Sequence, residues 1–327
     1  MASVFARRPV LITATAVAVA GTAFYSFSLP APIRLDSTYN EDSRALSFPR
    51  NMLFSRDLKV RTAEQVNHDA KKITLELPDG DSQISGVSAS GRPNPILEQL
   101  SQTGLLTDFC HSRNSNPAHL RHLLVPYLRP YTPISSPETP GILQLLVKRY
   151  PSGCASTRMQ SLQPGDVLTV RGPLPGYTYT PSLTQPRSVL LVAGGGGITP
   201  IYSLAREILA AHAGDQTQVE LLWGVNGMND IVLKDELEEL EQKYPERLKV
   251  TYAVSGIGKM GEGEKFRKGH VSREMLEEAI KRCEGRLGDA RGMKVFLCGP
   301  PKMEKAFDGK KGVLRELGLG GKEIYKF

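Results

Sequence analysis

The stretch that most constrains this chain is Leu190-Leu-Val-Ala-Gly-Gly-Gly-Gly-Ile-Thr-Pro-Ile201. An apolar run of strand length ends in four glycines, and a helix-like segment over 202–213 follows. Glycines at a strand-to-helix turn let the backbone approach a ligand that any Cβ would repel. The helix start then offers free N–H groups and the positive end of its dipole to a phosphate. By itself such a turn is also compatible with a plain tight loop.

The rhythm on either side of this turn divides the chain. From 187 onward strand and helix patterns alternate: strands at 189–193, 218–223, 248–254 and 294–298, helices at 203–213, 233–243 and 273–283. Alternation of this kind predicts a parallel sheet with helices on both faces, whose ligands bind beyond the carboxyl ends of the strands. Upstream the pattern is of short strands, at 58–61, 72–78, 141–148 and 166–171, separated by Pro78-Asp-Gly80 and Gln163-Pro-Gly-Asp166. Short strands punctuated this way predict a small antiparallel barrel. In 72–78 the apolar side falls on Ile73, Leu75 and Leu77. The strand rhythm breaks over an insertion at about 91–126, where 95–106 reads as one short helix and 110–118 as a polar loop. The expected organisation is a targeting or transmembrane segment over 1–29, a linker over 30–50, a barrel over 51–185 and an α/β domain over 186–327.

Residues 10–29 carry no charge, and about 20 such residues span a bilayer as a helix. Arg7 and Arg8 in front favour a retained anchor with its start on the cytosolic or matrix side, and a cleaved secretory signal is the alternative. The cysteines at 110, 154, 283 and 298 form no C-x-x-C pair, which argues against zinc, and their spacing does not suit a plant-type iron–sulfur cluster, so no metal is expected. Free thiols in a reducing compartment are the default. The net charge of +7 suits an acidic partner or an anionic membrane surface, but lacks the clustering that nucleic acid requires.

Several motifs accompany the glycine turn: Arg129-Pro-Tyr-Thr-Pro-Ile-Ser135, Val147-Lys148, Gly153-Cys-Ala-Ser156, Cys298-Gly-Pro-Pro-Lys-Met303 and a closing Tyr325-Lys-Phe327. In these motifs and their order the chain resembles the NADH–cytochrome b5 reductase family, within the wider ferredoxin–NADP reductase group. The likeness covers roughly 60–327 apart from the insertion, and the N-terminal span makes it most similar to membrane-anchored fungal-type mitochondrial members. The resemblance implies an antiparallel FAD-binding barrel followed by a parallel-sheet nucleotide domain. FAD and NADH are then the cofactors, meeting at the cleft between them.

It also implies roles residue by residue. Arg129 holds the flavin diphosphate, a task that suits a planar guanidinium, while Pro130 shapes the strand. Tyr131 packs on the flavin and Thr132 hydrogen-bonds near its N5. Ser135 belongs to the same motif. Leu146, Lys148 and Tyr150 line the flavin. Gly153, Ala155 and Ser156 precede a short helix-like segment over 157–162 and present its start to the diphosphate, where Ser156 serves either a phosphate oxygen or the helix cap. Gly195, Gly197, Thr199 and Pro200 form the nicotinamide-side turn. Cys298, with Gly299, positions the nicotinamide ring, and Pro300, Pro301 and Met303 shape the wall behind it. Thr132, Lys148 and Cys298 are the expected catalytic residues.

Three departures from the family pattern stand out. Cys154-Ala155 replaces the usual Lys-Met, and Gly196 stands where Thr is frequent. Ser255-Gly-Ile-Gly-Lys-Met260 follows a strand after which an Asp is common, so NADPH stays open beside NADH. The implied reaction is hydride transfer from nicotinamide C4 to flavin N5, then single-electron steps to a cytochrome b5-like haem protein. That acceptor would dock by charge, and the membrane is the mitochondrial outer membrane or, alternatively, the endoplasmic reticulum. The alternatives are an NADPH-dependent reductase of another acceptor and a membrane-anchored interaction protein that has lost FAD.

Overall fold

The apolar run before the glycines is a strand, Ser188–Gly194, buried at every position. A strand apolar on both faces needs cover on both faces, which a parallel sheet flanked by helices supplies. The computed structural model describes residues 44–46, 56–87, 105–107, 129–171, 177, 179–185, 187–211, 214–258, 261–287 and 293–327. In chain order the strands are β1 (Arg56–Gln65), β2 (Ala70–Glu76), β3 (Leu105–Thr107), β4 (Arg129–Tyr131), β5 (Ile142–Lys148), β6 (Val167–Arg171), β7 (Ser188–Gly194), β8 (Gln218–Val225), β9 (Leu248–Val254), β10 (Phe266–Lys268), β11 (Lys294–Cys298) and β12 (Ile324–Lys326). The helices are α1 (Cys154–Ser161), α2 (Ile198–Ala210), α3 (Lys234–Lys243), α4 (Arg273–Leu287), α5 (Pro301–Asp308) and α6 (Val313–Glu316).

The strands before β7 form an antiparallel six-stranded sheet in the order β4-β3-β6-β1-β2-β5. A bridge between Pro133, just past β4, and Leu145 of β5 joins its two edges, so the sheet curls into a barrel. Alternation sets its inside: Ile73, Leu75 and Leu77 are buried as their spacing predicts, facing Leu58, Val60, Leu143, Leu145, Leu168 and Val170. Met159 and Leu162 plug this interior from α1 and its end. Burying each such side chain stabilises the barrel by roughly 1.5–3 kcal/mol.

The second sheet is parallel, in the order β10-β9-β8-β7-β11-β12. Successive residues of β7 serve opposite faces: Leu190 and Val192 pack with Leu276, Ala279 and Val295, while Leu191 and Ala193 pack with Ile201, Leu204 and Ile208. The latter cluster also contains Ala70, Ile134 and Leu146 from the barrel side, so an apolar seam joins the two sheets within one compact unit.

Two expectations need correction. Leu105 and Leu106, read as the end of a helix, lie in β3, because Leu105 pairs with β4 and Leu106 with both β4 and β6. Tertiary pairing overrides local pattern there. Helix α1 begins at Cys154, ahead of the expected 157. The expected anchor over 1–29, the linker over 30–50 apart from 44–46, and most of the 91–126 insertion lie outside the described residues. Among the described residues, no helix is long and apolar enough to cross a membrane.

Candidate active site

The parallel sheet reverses its order at β7. The chain proceeds to β8 on one side and reaches β11 on the other, with Cys298 of β11 beside Ala193 of β7. At such a switch point the loops diverge and leave a crevice beyond the carboxyl ends of the strands. The glycine turn and the Cys298–Met303 segment therefore meet at one crevice.

The four glycines are needed for different reasons. Gly195 has φ +51° and open space where a side chain would project. Its carbonyl accepts a hydrogen bond from Trp223 Nε1 at 3.1 Å. A Cβ on Gly194 would lie 2.5 Å from Met303 Sδ. Gly197 faces the Cys298 backbone, and Gly299 also packs against Met303 Sδ. Gly194, Gly197 and Gly299 thus let the turn after β7 nest on the turn after β11. Gly196 faces the barrel: a Cβ there would stand 2.8 Å from Tyr150 Oη and 3.6 Å from Lys148 Cβ. Thr199 and Pro200 sit in the first turn of α2, with Thr199 Oγ1 donating to Gly196 O at 3.4 Å. A proline at that place forfeits no helical bond. Pro300 precedes α5 and Pro301 opens it.

On the barrel side, Tyr131 is half-buried, Arg129 and Pro130 are exposed, and Thr132 is buried behind them. Burial pushes the Tyr131 phenol up to about 12. Tyr150 has half its surface open to solvent, yet its hydroxyl is shielded, and burial raises its pKa. It lies within electrostatic reach of both Tyr131 and Cys298. Cys298 has its thiol pushed up to about 12, by burial first and by Glu304 second. It is therefore neutral near pH 7 and not a nucleophile. Leu146 is buried at the apolar seam.

Ser135 and Ser156 serve the backbone. Ser135 Oγ accepts from Gln144 N at 3.0 Å. Ser156 Oγ accepts from Tyr150 N at 3.1 Å and donates to Gly153 O at 3.1 Å, tying the 150–156 turn to α1. A Cβ on Gly153 would lie 2.5 Å from that hydroxyl. The first amides of α1, at buried Ala155 and Ser156, lie ahead of the bond from Thr157 N to Gly153 O at 3.0 Å that opens the helix.

Three side chains outside the sequence motifs complete the site. Lys148 Nζ lies 2.6 Å from Asp69 Oδ2 and 3.5 Å from Asp230 Oδ1, one carboxylate from each domain. Burial alone would lower its pKa, but the two carboxylates outweigh that and hold it above the ordinary lysine value. Arg206 of α2 reaches across the seam, its Nη1 donating to Ile134 O and its Nη2 to Ser135 O at 2.6 Å. None of the three belongs to a linear motif; only the topology brings them to the crevice. Uncovered tyrosine faces, an exposed arginine, a helix start and open backbone at Gly195 fit a planar ring system with an anionic diphosphate.

Comparison with known proteins agrees with this geometry. A family model described as the oxidoreductase FAD-binding domain matches residues 122–179, and one described as the oxidoreductase NAD-binding domain matches 191–308. NADH-cytochrome b5 reductase 2 of Botryotinia fuckeliana is 36% identical over 280 residues, covering 83% of this chain and 71% of the relative. The protein of the same name from Scheffersomyces stipitis is 32% identical over 322 residues, covering 95% and 94%. Among solved structures, the cytochrome b5 reductase domain of Ulva prolifera nitrate reductase superposes with a TM-score of 0.65 at 25% identity, over 85% of this chain and 98% of that one.

Proposed function

Since the chain belongs to the NADH–cytochrome b5 reductase family, we propose that it is an FAD-containing oxidoreductase that takes a hydride from NADH and passes single electrons to cytochrome b5 or a similar haem protein. One observation carries this reading: the barrel's Lys148 and Tyr150 stand against Gly196 and Cys298 stands against Gly197, with Tyr131 within electrostatic reach of Tyr150. Bound there, FAD and NADH supply the hydride and single-electron chemistry, and the protein supplies binding, orientation and exclusion of water.

Each side chain then has a task. Arg129 and the α1 start hold the flavin diphosphate. Tyr131 and Tyr150 cover the ring. Thr132 hydrogen-bonds it, and Lys148 brings positive charge that favours the reduced, anionic form. Gly195 admits the nicotinamide nucleotide at the head of α2, and the neutral Cys298 thiol, backed by Pro300, Pro301 and Met303, positions the ring. Hydride transfer needs no general acid or base, so no histidine is assigned.

A second reading, an NADPH-dependent reductase of another acceptor, is favoured by the turn after β9: Ser255-Gly-Ile-Gly258 lacks the carboxylate that selects a ribose 2′-OH. Lys259, which bears on the same choice, lies outside the described residues. The proposal also seats the enzyme on the mitochondrial outer membrane through 1–29, with the endoplasmic reticulum as the alternative; the uncharged run behind Arg7 and Arg8 supports it. Fractionation of cells expressing the chain with and without 1–29 tests that part.

The test of function is reduction of purified cytochrome b5 by the holoenzyme with NADH or NADPH at increasing salt. The expected result is NADH-driven reduction that weakens as ionic strength screens the docking charges. Failure to reduce the haem with either nucleotide would overturn the acceptor assignment.

A further inference from the structure

We propose that Asp230 is a positioning residue of the electron-transfer site, acting through Lys148. With Asp69 it holds the lysine ammonium across the seam between barrel and nucleotide domain, and so sets where that positive charge stands beside the flavin and nicotinamide. The inference rests on the function proposed above and deepens it.

A lone lysine is a flexible stem carrying a mobile point charge. Here both of its anchors are themselves fixed. Asp69 N donates a hydrogen bond to Asn67 Oδ1 at 3.0 Å, and its carbonyl accepts from Arg149 N at 2.7 Å and Gln160 Nε2 at 3.3 Å. Asp230 ends the short turn Met228–Asp230; its Oδ2 accepts from Gly227 N at 2.9 Å, which leaves Oδ1 turned to the lysine. Asn67 Nδ2 donates to Asn229 O at 2.8 Å and fastens the same two segments together.

The side chains of Lys148, Asp69 and Asp230 retain 23%, 18% and 11% of their exposure, so water screens the trio only in part. The lysine stem runs past the glycine turn, with Cβ and Cδ 3.6 and 3.9 Å from where a Cβ on Gly196 would sit. Displacing the ammonium therefore displaces charge within the crevice. His68, Asp69 and Asp230 could also be read as ligands for a metal ion. The lysine already supplies the positive charge there, at 2.6 Å from Asp69, and His68 lies farther off, at 3.5 and 3.9 Å from the two carboxylates.

The test is a double-mutant cycle on the holoenzyme, combining Asp230→Asn with Lys148→Met. The readouts are the flavin midpoint potential, NAD⁺ affinity by fluorescence titration and the single-turnover rate of flavin reduction. Asp230→Asn is expected to shift the potential, since the released ammonium no longer stands in its fixed place beside the ring, and to slow reduction on the order of tenfold. Asp230→Glu is expected to restore part of both, and on the Lys148→Met background Asp230→Asn is expected to shift the potential much less, by the direct loss of its own charge alone. Asp69→Asn reports on the same lysine from the barrel side should Asp230→Asn fold poorly. Wild-type potential and rate in both asparagine variants, or equal shifts with and without the lysine, would overturn the inference. Wild-type holoenzyme that NADH cannot bleach would instead defeat the underlying functional reading.

Discussion

The Cys298 carbonyl oxygen occupies the place where a side chain on Gly197 would begin: a Cβ there would lie 2.3 Å away, with the carbonyl carbon at 2.6 Å. Gly197 has φ −65°, which any residue adopts, so space and not conformation demands glycine. Gly197→Ala must push β7 and β11 apart at their carboxyl ends. We expect a loss of about 1–3 kcal/mol, as for other overpacked sites, together with weaker NADH binding. Denaturant unfolding and nucleotide titration check it.

Cys298 should resist thiol reagents. At pH 8, alkylation followed by peptide mass spectrometry is expected to label exposed Cys154 fast, spare buried Cys283 and label half-buried Cys298 slowly. Because burial raises the Cys298 thiol to about 12, the stability linked to its protonation is complete below the unfolded thiol's pKa of about 8.5 and is lost as pH rises through about 12. Cys298→Ala should flatten part of that alkaline decline. Labelling of Cys298 as fast as Cys154 would contradict the neutral, shielded thiol.

Asp215 fastens the segment between the two sheets. It is 1% exposed, accepts from Tyr179 Oη at 2.5 Å and Thr217 Oγ1 at 2.7 Å, and receives Thr217 N at 3.0 Å. Burial alone would raise its pKa, but these hydrogen bonds together hold it below the ordinary value. Its contribution is therefore present above the unfolded pKa of about 3.9 and lost as pH falls through the folded one. Asp215→Asn should cost about 1–3 kcal/mol at pH 7, with the gap to wild type closing in acid. Melting curves between pH 3 and 7 measure both.

Arg206 clamps the carbonyls of Ile134 and Ser135 from α2, with charge-assisted hydrogen bonds worth about 1.5–3 kcal/mol each. Arg206→Ala should loosen the end of the 129–135 motif, lowering the melting temperature and releasing flavin faster. Arg206→Lys should recover little, because one ammonium does not reproduce the two-pronged reach. Flavin fluorescence on release is the measurement.

The sequence made some of this legible for plain reasons. Strands with a clean period, such as Ile73-Thr-Leu75 or the unbroken run 189–193, announced their faces, and a glycine turn between strand and helix announced a crevice. Short elements did not show. The strands β3, β10 and β12 are only three residues each, and they exist because a neighbour offers a pairing edge. Asp230 and Arg206 escaped for the same reason. Asp230 sits in an exit loop of β8 and Arg206 on a helix face, and only the meeting of two sheets gives either a partner. The glycines carry a subtler lesson: their spacing suggested room for a ligand, whereas Gly194 and Gly197 are filled by Met303 and Cys298, leaving Gly195 as the open position.

The central claim is that one crevice holds a flavin against a nicotinamide. Anaerobic addition of NADH to the purified protein, followed by absorbance in the flavin bands, tests it most directly. Yellow protein that bleaches with about one equivalent of NADH is the expected result. Colourless protein that stays so after incubation with FAD, or a bound flavin that NADH leaves oxidised, would contradict it.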